Sequence, residues 1–127
     1  MSITRQSALP RLKFHPDAYR FVFEALHHTQ QQLKRPVSHD LNDDRAHISG
    51  PELLFGLKEL ATERFGMLSP NVFAHWGVKS TADFGRIVFE LIERGEMRKT
   101  EHDQLTDFFD VYEFSDAFDR EYDIDVS

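Results

Sequence analysis

The chain has 127 residues, with 22 acidic and 15 basic side chains and a net charge of -7 at pH 7. This length and a hydrophobic content of 40% suit one globular domain and argue against a disordered chain. The absence of cysteine excludes disulfides, zinc–thiolate sites and a thiol nucleophile. No apolar run reaches the roughly 18 residues that a membrane span needs, and residues 1–14 lack the apolar region of a signal peptide. We therefore expect a soluble, cytoplasmic protein without a membrane partner.

Charge is distributed unevenly along the chain. Residues 1–14 carry three bases and no acid, which predicts a flexible basic arm. Residues 101–127 hold ten acids and one base, but they also hold six aromatic side chains. Aromatic residues at this density usually bury something, so the predicted globular domain covers residues 15–122. A frayed acidic C-terminus is predicted for residues 123–127.

Four segments combine a helical spacing of apolar residues with start or stop signals. Pro16 suits the first turn of a helix, and Ser49 with Glu52 forms a capping-box pattern. Pro70 marks the start of a short third helix, and Gly95 ends the fourth. The predicted helices cover residues 17–34, 49–65, 70–76 and 81–94.

The helical period stops after Gly95. Residues 97–100 and 108–114 are predicted to form a β-hairpin, with a short helix starting at Ser115 or Asp116. The predicted fold class is therefore α+β and mostly helical, with four main helices and a C-terminal hairpin. This element order is also that of a winged helix-turn-helix, while a helical bundle with a hairpin is an equal alternative. The predicted core comprises Val22, Leu26, Leu54, Leu57, Ala61, Phe73, Trp76, Phe84, Ile87, Val88, Leu91 and Phe109.

Several short sequence motifs are distinctive when taken together. They include His-Ile-Ser-Gly-Pro-Glu-Leu-Leu at 47–54, His-Trp-Gly-Val at 75–78, Asp-Phe-Gly at 83–85 and the aromatic stretch at 107–114. In these motifs the chain resembles a small uncharacterised family found mainly in Planctomycetes and Verrucomicrobia, and the resemblance covers roughly residues 15–118. The resemblance implies a bacterial single-domain protein of about this size. It implies no activity, cofactor or site residue.

A winged helix suggests nucleic-acid binding, but the charges oppose it. Binding of this kind depends on Lys and Arg side chains that neutralise phosphates. In a winged helix the fourth predicted helix, 81–94, would be the recognition helix, and it carries three acids and two bases. The predicted wing, residues 101–106, carries Glu101 and Asp103 without a Lys or Arg. Nucleic-acid binding is therefore kept only as the less favoured alternative.

The sequence contains no recognisable catalytic constellation. It has no glycine-rich phosphate loop, no Gly-x-Ser-x-Gly and no His-Glu-x-x-His. A cluster within residues 39–47 could hold a divalent cation, but its spacing matches no known motif and a polar loop is favoured. We predict no cofactor and a non-catalytic protein, with an enzyme of unrecognised chemistry as the least favoured alternative. The residues of that loop cluster are His39, Asp40, Asp43, Asp44 and His47.

The protein contains more aromatic residues than its predicted helical stripes require. Side chains that point away from the main stripes either pack in a second layer or form an interface. The sequence therefore predicts a protein–protein interaction or adaptor module, which binds another protein or itself as a homodimer. The candidate interaction residues are Phe21, Phe23, Phe89, Phe118 and Tyr122.

Overall fold

A computed structural model describes residues 12–35 and 47–119 of the chain. The four predicted helices are confirmed, with each end within two residues of its predicted position. They are α1 (Pro16–Gln32), α2 (Gly50–Phe65), α3 (Ser69–His75) and α4 (Thr81–Glu93), followed by the single-turn α5 (Phe114–Ala117). Two 3₁₀ helices cover Gly66–Leu68 and Leu105–Phe108.

The residues that follow α4 do not form a hairpin. The described residues contain no β-strand, so the predicted α+β class, the C-terminal hairpin and the winged-helix-like arrangement are wrong. Asp103 Oδ2 accepts a hydrogen bond from the Thr100 backbone N–H at 2.8 Å, and Asp107 Oδ2 accepts one from the Gln104 N–H at 3.0 Å. The first bond uses an N–H group of the predicted strand 97–100, and the second starts a 3₁₀ turn between the two predicted strands. The nucleic-acid alternative loses its structural basis with the wing.

The hydrophobic core is centred on Phe73, which is fully buried. Its ring centroid lies 5.0–6.3 Å from those of five other aromatic side chains. These are Phe21, Trp76, Phe84, Phe114 and Phe118. The predicted core is otherwise buried, but Leu26 is half-buried and Phe109 is 41% exposed. Phe108 takes the buried position that was predicted for Phe109.

Phe108 is held in a socket that two glycines create. A Cβ atom at Gly85 would lie 2.6 Å from the Phe108 Cβ, and one at Gly50 would lie 2.9 Å from the Phe108 ring. The Thr81 hydroxyl donates a hydrogen bond to the Phe108 carbonyl at 2.7 Å. The 3₁₀ helix Leu105–Phe108 is therefore fixed against the N-terminal half of α4 by both packing and hydrogen bonding.

The chain that precedes α1 is tied to the domain by Tyr19. Its hydroxyl accepts hydrogen bonds from the backbone N–H groups of Lys13 and Phe14 and donates one to Glu90 Oε1 at 2.8 Å. The remainder of the predicted arm, residues 1–11, and the predicted frayed end, residues 123–127, lie outside the described residues. Within 12–35 and 47–119, no helix has both the length and the apolar character needed to cross a bilayer.

Candidate functional site

Helices α1 and α2 form the most extensive contact between two elements in the described part of the chain. Two ion pairs, one at each end of α2, show that the helices run antiparallel. Arg35 follows α1 and binds Glu52 in the first turn of α2, with 2.8 Å between Nη2 and Oε2. At the other end Arg64 Nη1 lies 2.8 Å from Glu24 Oε1. The two ion pairs set one register, in which the C-terminal half of α1 lies against α2.

The two helices approach most closely at Gly56. A Cβ atom at this position would lie 1.8 Å from the Thr29 Oγ1, so a side chain cannot be placed there without moving α1. Thr29 is buried, and its hydroxyl donates to the Ala25 carbonyl at 2.7 Å. A glycine inside a helix costs about 1 kcal/mol relative to alanine. The absence of a side chain at Gly56 allows the close crossing, and the lower helix propensity of glycine is the free energy that this contact must offset.

An open groove of about 800 Å³ lies along this helix pair, and we call it the α1–α2 groove. A second depression of about 440 Å³, the Phe23 cleft, meets it at His28. Together they follow residues 23–33, which are the C-terminal half of α1 and the residue after it, over a length of about 15 Å. The α1–α2 groove is lined by His28, Gln32 and Leu33 from the α1 side and by Phe55, Glu59 and Glu63 from α2. The Phe23 cleft is lined by Phe23, Glu24, His27, His28, Gln31, Leu60 and Arg64.

Large apolar side chains are exposed in both depressions. Phe55 is 51% exposed and Leu33 is 41% exposed in the α1–α2 groove, and Phe23 is 37% exposed in its cleft. The Phe55 ring also contacts Tyr112, with 5.9 Å between centroids, which fixes one of its edges. Single exposed apolar residues are ordinary on a surface, but their concentration along one groove is typical of interfaces.

His28 lies where the two depressions meet. Its Nε2 atom is buried and has no hydrogen-bond partner within the described residues. The nearest carboxylate oxygen in an ion pair with it, Glu59 Oε1, is 3.5 Å away, at a position that does not make a hydrogen bond. Buried polar atoms are usually hydrogen-bonded, so this nitrogen is a position at which a water molecule or a bound molecule can supply the bond.

The groove has an acidic rim. Glu59 and Glu63 stand one helical turn apart on α2, and within residues 12–35 and 47–119 neither accepts a hydrogen bond. Glu52, at the end of the groove, is paired with Arg35, which compensates its negative charge and holds the pKa of this carboxyl below its ordinary value. Lys58 is placed with its Nζ 5.9 Å from the centre of the Tyr112 ring. The rim therefore favours a positively charged ligand.

The hydroxyl groups in the groove are not placed for catalysis. The Thr62 hydroxyl donates to the Lys58 carbonyl at 2.8 Å, and that of Thr29 donates to Ala25 as described above. Each bond is made to the helix backbone four residues earlier, so neither hydroxyl is activated by His28. The arrangement offers an apolar surface with negative charge, which suits binding.

The candidate interaction residues predicted from the sequence do not form one surface. Phe21 and Phe118 are buried and pack in the aromatic core, which is the second-layer alternative to an exposed patch, and their role in an interaction stays a prediction. Phe89 is half-buried, and its ring meets that of Phe108 edge to face. Phe23 is exposed in its cleft, and Tyr122 lies outside the described residues.

Sequence reasoning missed Phe55, Leu33 and His28. Position 55 falls off the apolar stripe of α2, which is the signal that singled out Phe89 in α4. Gly56 was a further signal, because a glycine inside a helical pattern often marks a close approach of the backbone. Neither signal shows that α1 supplies the opposite wall.

The histidines and the predicted loop cluster form no metal site in the described part of the chain. His47 Nε2 lies 3.1 Å from Asp103, and this pair joins the start of α2 to the turns after α4. Residues 39–44, which hold the rest of the loop cluster, lie outside the described residues. His27 and His28 differ in exposure, and His27 contacts Gln31.

Comparison of the chain with protein-family models, with curated proteins and with solved structures found no match. The resemblance to a Planctomycetes and Verrucomicrobia family stays a prediction. Any function must therefore follow from the chemistry of the protein's own surface.

Proposed function

We propose that the protein is a non-catalytic interaction module that binds another protein along the α1–α2 groove. The observation that carries the proposal is the exposure of Phe55 and Leu33 on the two walls of one groove. Half-exposed aromatic side chains beside a groove become anchor residues when a partner covers them, and such anchors supply most of the affinity of an interface. The two threonine hydroxyls of the groove bond to the helix backbone and are not activated as nucleophiles, which supports binding as the function.

Two phenylalanine variants test this proposal. Phe55→Ser removes an exposed ring from the groove, while Phe109→Ser removes a similarly exposed ring that does not line it. We expect the immobilised wild-type protein and Phe109→Ser to capture the same partner from a lysate of the source organism. Phe55→Ser should bind that partner about tenfold more weakly or lose it, as the removal of an interface anchor does.

Thermal unfolding of both variants serves as the control for folding, because both rings lie at the surface and their removal should leave the domain folded. Sedimentation velocity on the purified protein tests the case in which the partner is a second copy. If all three proteins capture the same set of proteins and sediment alike at every concentration, the groove is not the binding surface and the proposal is wrong.

A further inference from the structure

We infer that the segment bound in the α1–α2 groove is a basic amphipathic helix, apolar on one face and bearing Lys or Arg opposite Glu59 and Glu63. This inference rests on the proposed function and names the chemistry of the partner. It follows from the shape of the groove, from its charges and from the unpartnered nitrogen of His28.

The shape of the groove suits a helix. Two antiparallel helices leave a seam along which a third helix can pack, and amphipathic helices commonly bind in such apolar grooves. The α1–α2 groove and the Phe23 cleft together run for about 15 Å, which equals about ten residues of helix. Phe55 and Leu33 lie at one end and Phe23 at the other, so the partner needs apolar side chains toward both ends.

The charges of the groove select a basic helix. Glu59 and Glu63 are four residues apart on one helix, and like charges at this spacing destabilise a helix by a few tenths of a kcal/mol. Within one helix, the repulsion between these two carboxylates is therefore unfavourable. The basic residues of both depressions are engaged, since Arg64 donates two hydrogen bonds to Glu24 and Lys58 lies over the Tyr112 ring.

His28 adds a polar requirement at the centre of this surface. Its buried Nε2 lies 3.5 Å from Glu59 Oε1, without a hydrogen bond. A cationic side chain that approaches Glu59 reaches the same place, and a polar group of the partner there can supply the missing hydrogen bond. The apolar walls and the acidic rim thus call for the same kind of ligand, and this nitrogen calls for a polar group beside it.

The test uses two dye-labelled synthetic helices of about 14 residues, roughly 21 Å long. The basic probe has leucine along one face and Lys and Arg elsewhere, and in the acidic probe glutamate replaces every base. We expect fluorescence polarisation to show that wild-type protein binds the basic probe about tenfold more tightly, which is the combined effect of two surface ion pairs. Raising NaCl from about 50 to about 500 mM should reduce this preference through screening.

Charge-reversal variants locate the effect. Glu59→Lys with Glu63→Lys should weaken the basic probe about tenfold relative to wild type. Glu93→Lys with Glu101→Lys changes the net charge equally at exposed positions outside both depressions, so this control should bind like wild type. Backbone amide signals of residues 23–33 and 52–63 should shift when the probe is added.

The outcomes separate this inference from the proposed function. Equal binding of both probes, equal weakening by both charge reversals, or no binding of the basic probe overturns the inference. If Phe55→Ser still weakens whichever probe binds, or still loses the partner captured from the lysate, the groove remains the binding surface and only the predicted chemistry of its partner is wrong.

Discussion

The helices up to Glu93 and the aromatic segment at 105–118 are held in place by different kinds of contact. The helices carry their own end signals. His15 Nδ1 accepts a hydrogen bond from the Asp17 N–H at 3.0 Å, and Ser49 and Glu52 complete a capping box. These interactions join residues that are two or three positions apart, so the sequence near each helix determines where it begins.

The aromatic segment depends on distant residues. The Phe108 carbonyl accepts its hydrogen bond from Thr81, and the Tyr112 hydroxyl donates to the Leu54 carbonyl at 2.6 Å. The Phe108 ring occupies space that Gly50 and Gly85 leave free. The segment therefore has a defined conformation only on the assembled helices, and we expect it to open at a lower free energy than they do.

The largest effect should come from Phe73, which both regions share. Phe73→Ala removes a fully buried ring that contacts α1, α4 and α5, and we expect it to lower the free energy of unfolding by about 3–5 kcal/mol. Urea unfolding followed by circular dichroism measures this loss. Phe109→Ala, at an exposed position, should change stability by less than about 0.5 kcal/mol. Equal losses in the two variants would show that the core is not centred on Phe73.

A smaller and more local effect is expected at Gly85. In Gly85→Ala the new methyl group would lie 2.6 Å from the Phe108 Cβ, so the 3₁₀ helix must move away from α4. We expect a net loss of about 1–3 kcal/mol from this overpacking, reduced by the better helix propensity of alanine. Glu93→Ala, at an exposed position of the same helix, is the matched control.

Hydrogen exchange distinguishes the two regions in the Gly85→Ala variant. Amides of residues 105–118 should exchange faster than in wild type, while those of α1 and α2 should keep most of their protection. If α1 loses protection as strongly as the aromatic segment, the two regions open together and the difference between them is smaller than their contacts indicate.

The four helices could be predicted because their signals are local. The capping box at 49–52 placed the start of α2 within one residue, and the apolar spacing of α4 identified the buried Phe84, Ile87 and Leu91. Among the predicted interaction residues that the structure describes, only Phe23 lies in a depression of the surface. The rest of the groove could not be predicted, because its walls meet through the contact of Gly56 with Thr29, which are 27 positions apart.

The hairpin was predicted because 108–114 is rich in aromatic residues, a composition that strands favour. In the predicted strand, Phe109 points toward the core and Phe108 toward solvent. In the 3₁₀ helix the two exchange places, so Phe108 is buried and the prediction of Phe109 as a core residue is wrong. The deciding contacts come from Gly50 and Gly85, which lie 58 and 23 residues before Phe108. No pattern within the segment itself reports them.

The smallest effect is expected at Tyr112, whose hydroxyl bonds to the α2 backbone. Tyr112→Phe removes the hydrogen bond to the Leu54 carbonyl but keeps the ring contacts with Phe55 and Phe114. At neutral pH we expect a loss of about 0.5–1.5 kcal/mol, the net contribution of one such bond. Urea unfolding of the variant and the wild type at pH 7 measures it.

The same substitution has a pH dependence with a definite sign. Burial raises the pKa of Tyr112 above its ordinary value, so in the unfolded chain this hydroxyl ionises first. Its contribution to stability is complete below about pH 10 and is lost as the pH rises further, because ionisation then favours the unfolded state. The advantage of wild type over Tyr112→Phe should therefore shrink between pH 7 and about pH 11. The pKa of Tyr19 is also raised, by burial and by its hydrogen bond to Glu90, so Tyr19→Phe should show a pH dependence of the same sign. An unchanged difference between wild type and Tyr112→Phe at the two pH values would mean that the hydroxyl is as well solvated in the folded protein as in the unfolded one, and that the aromatic segment is not closed over α2.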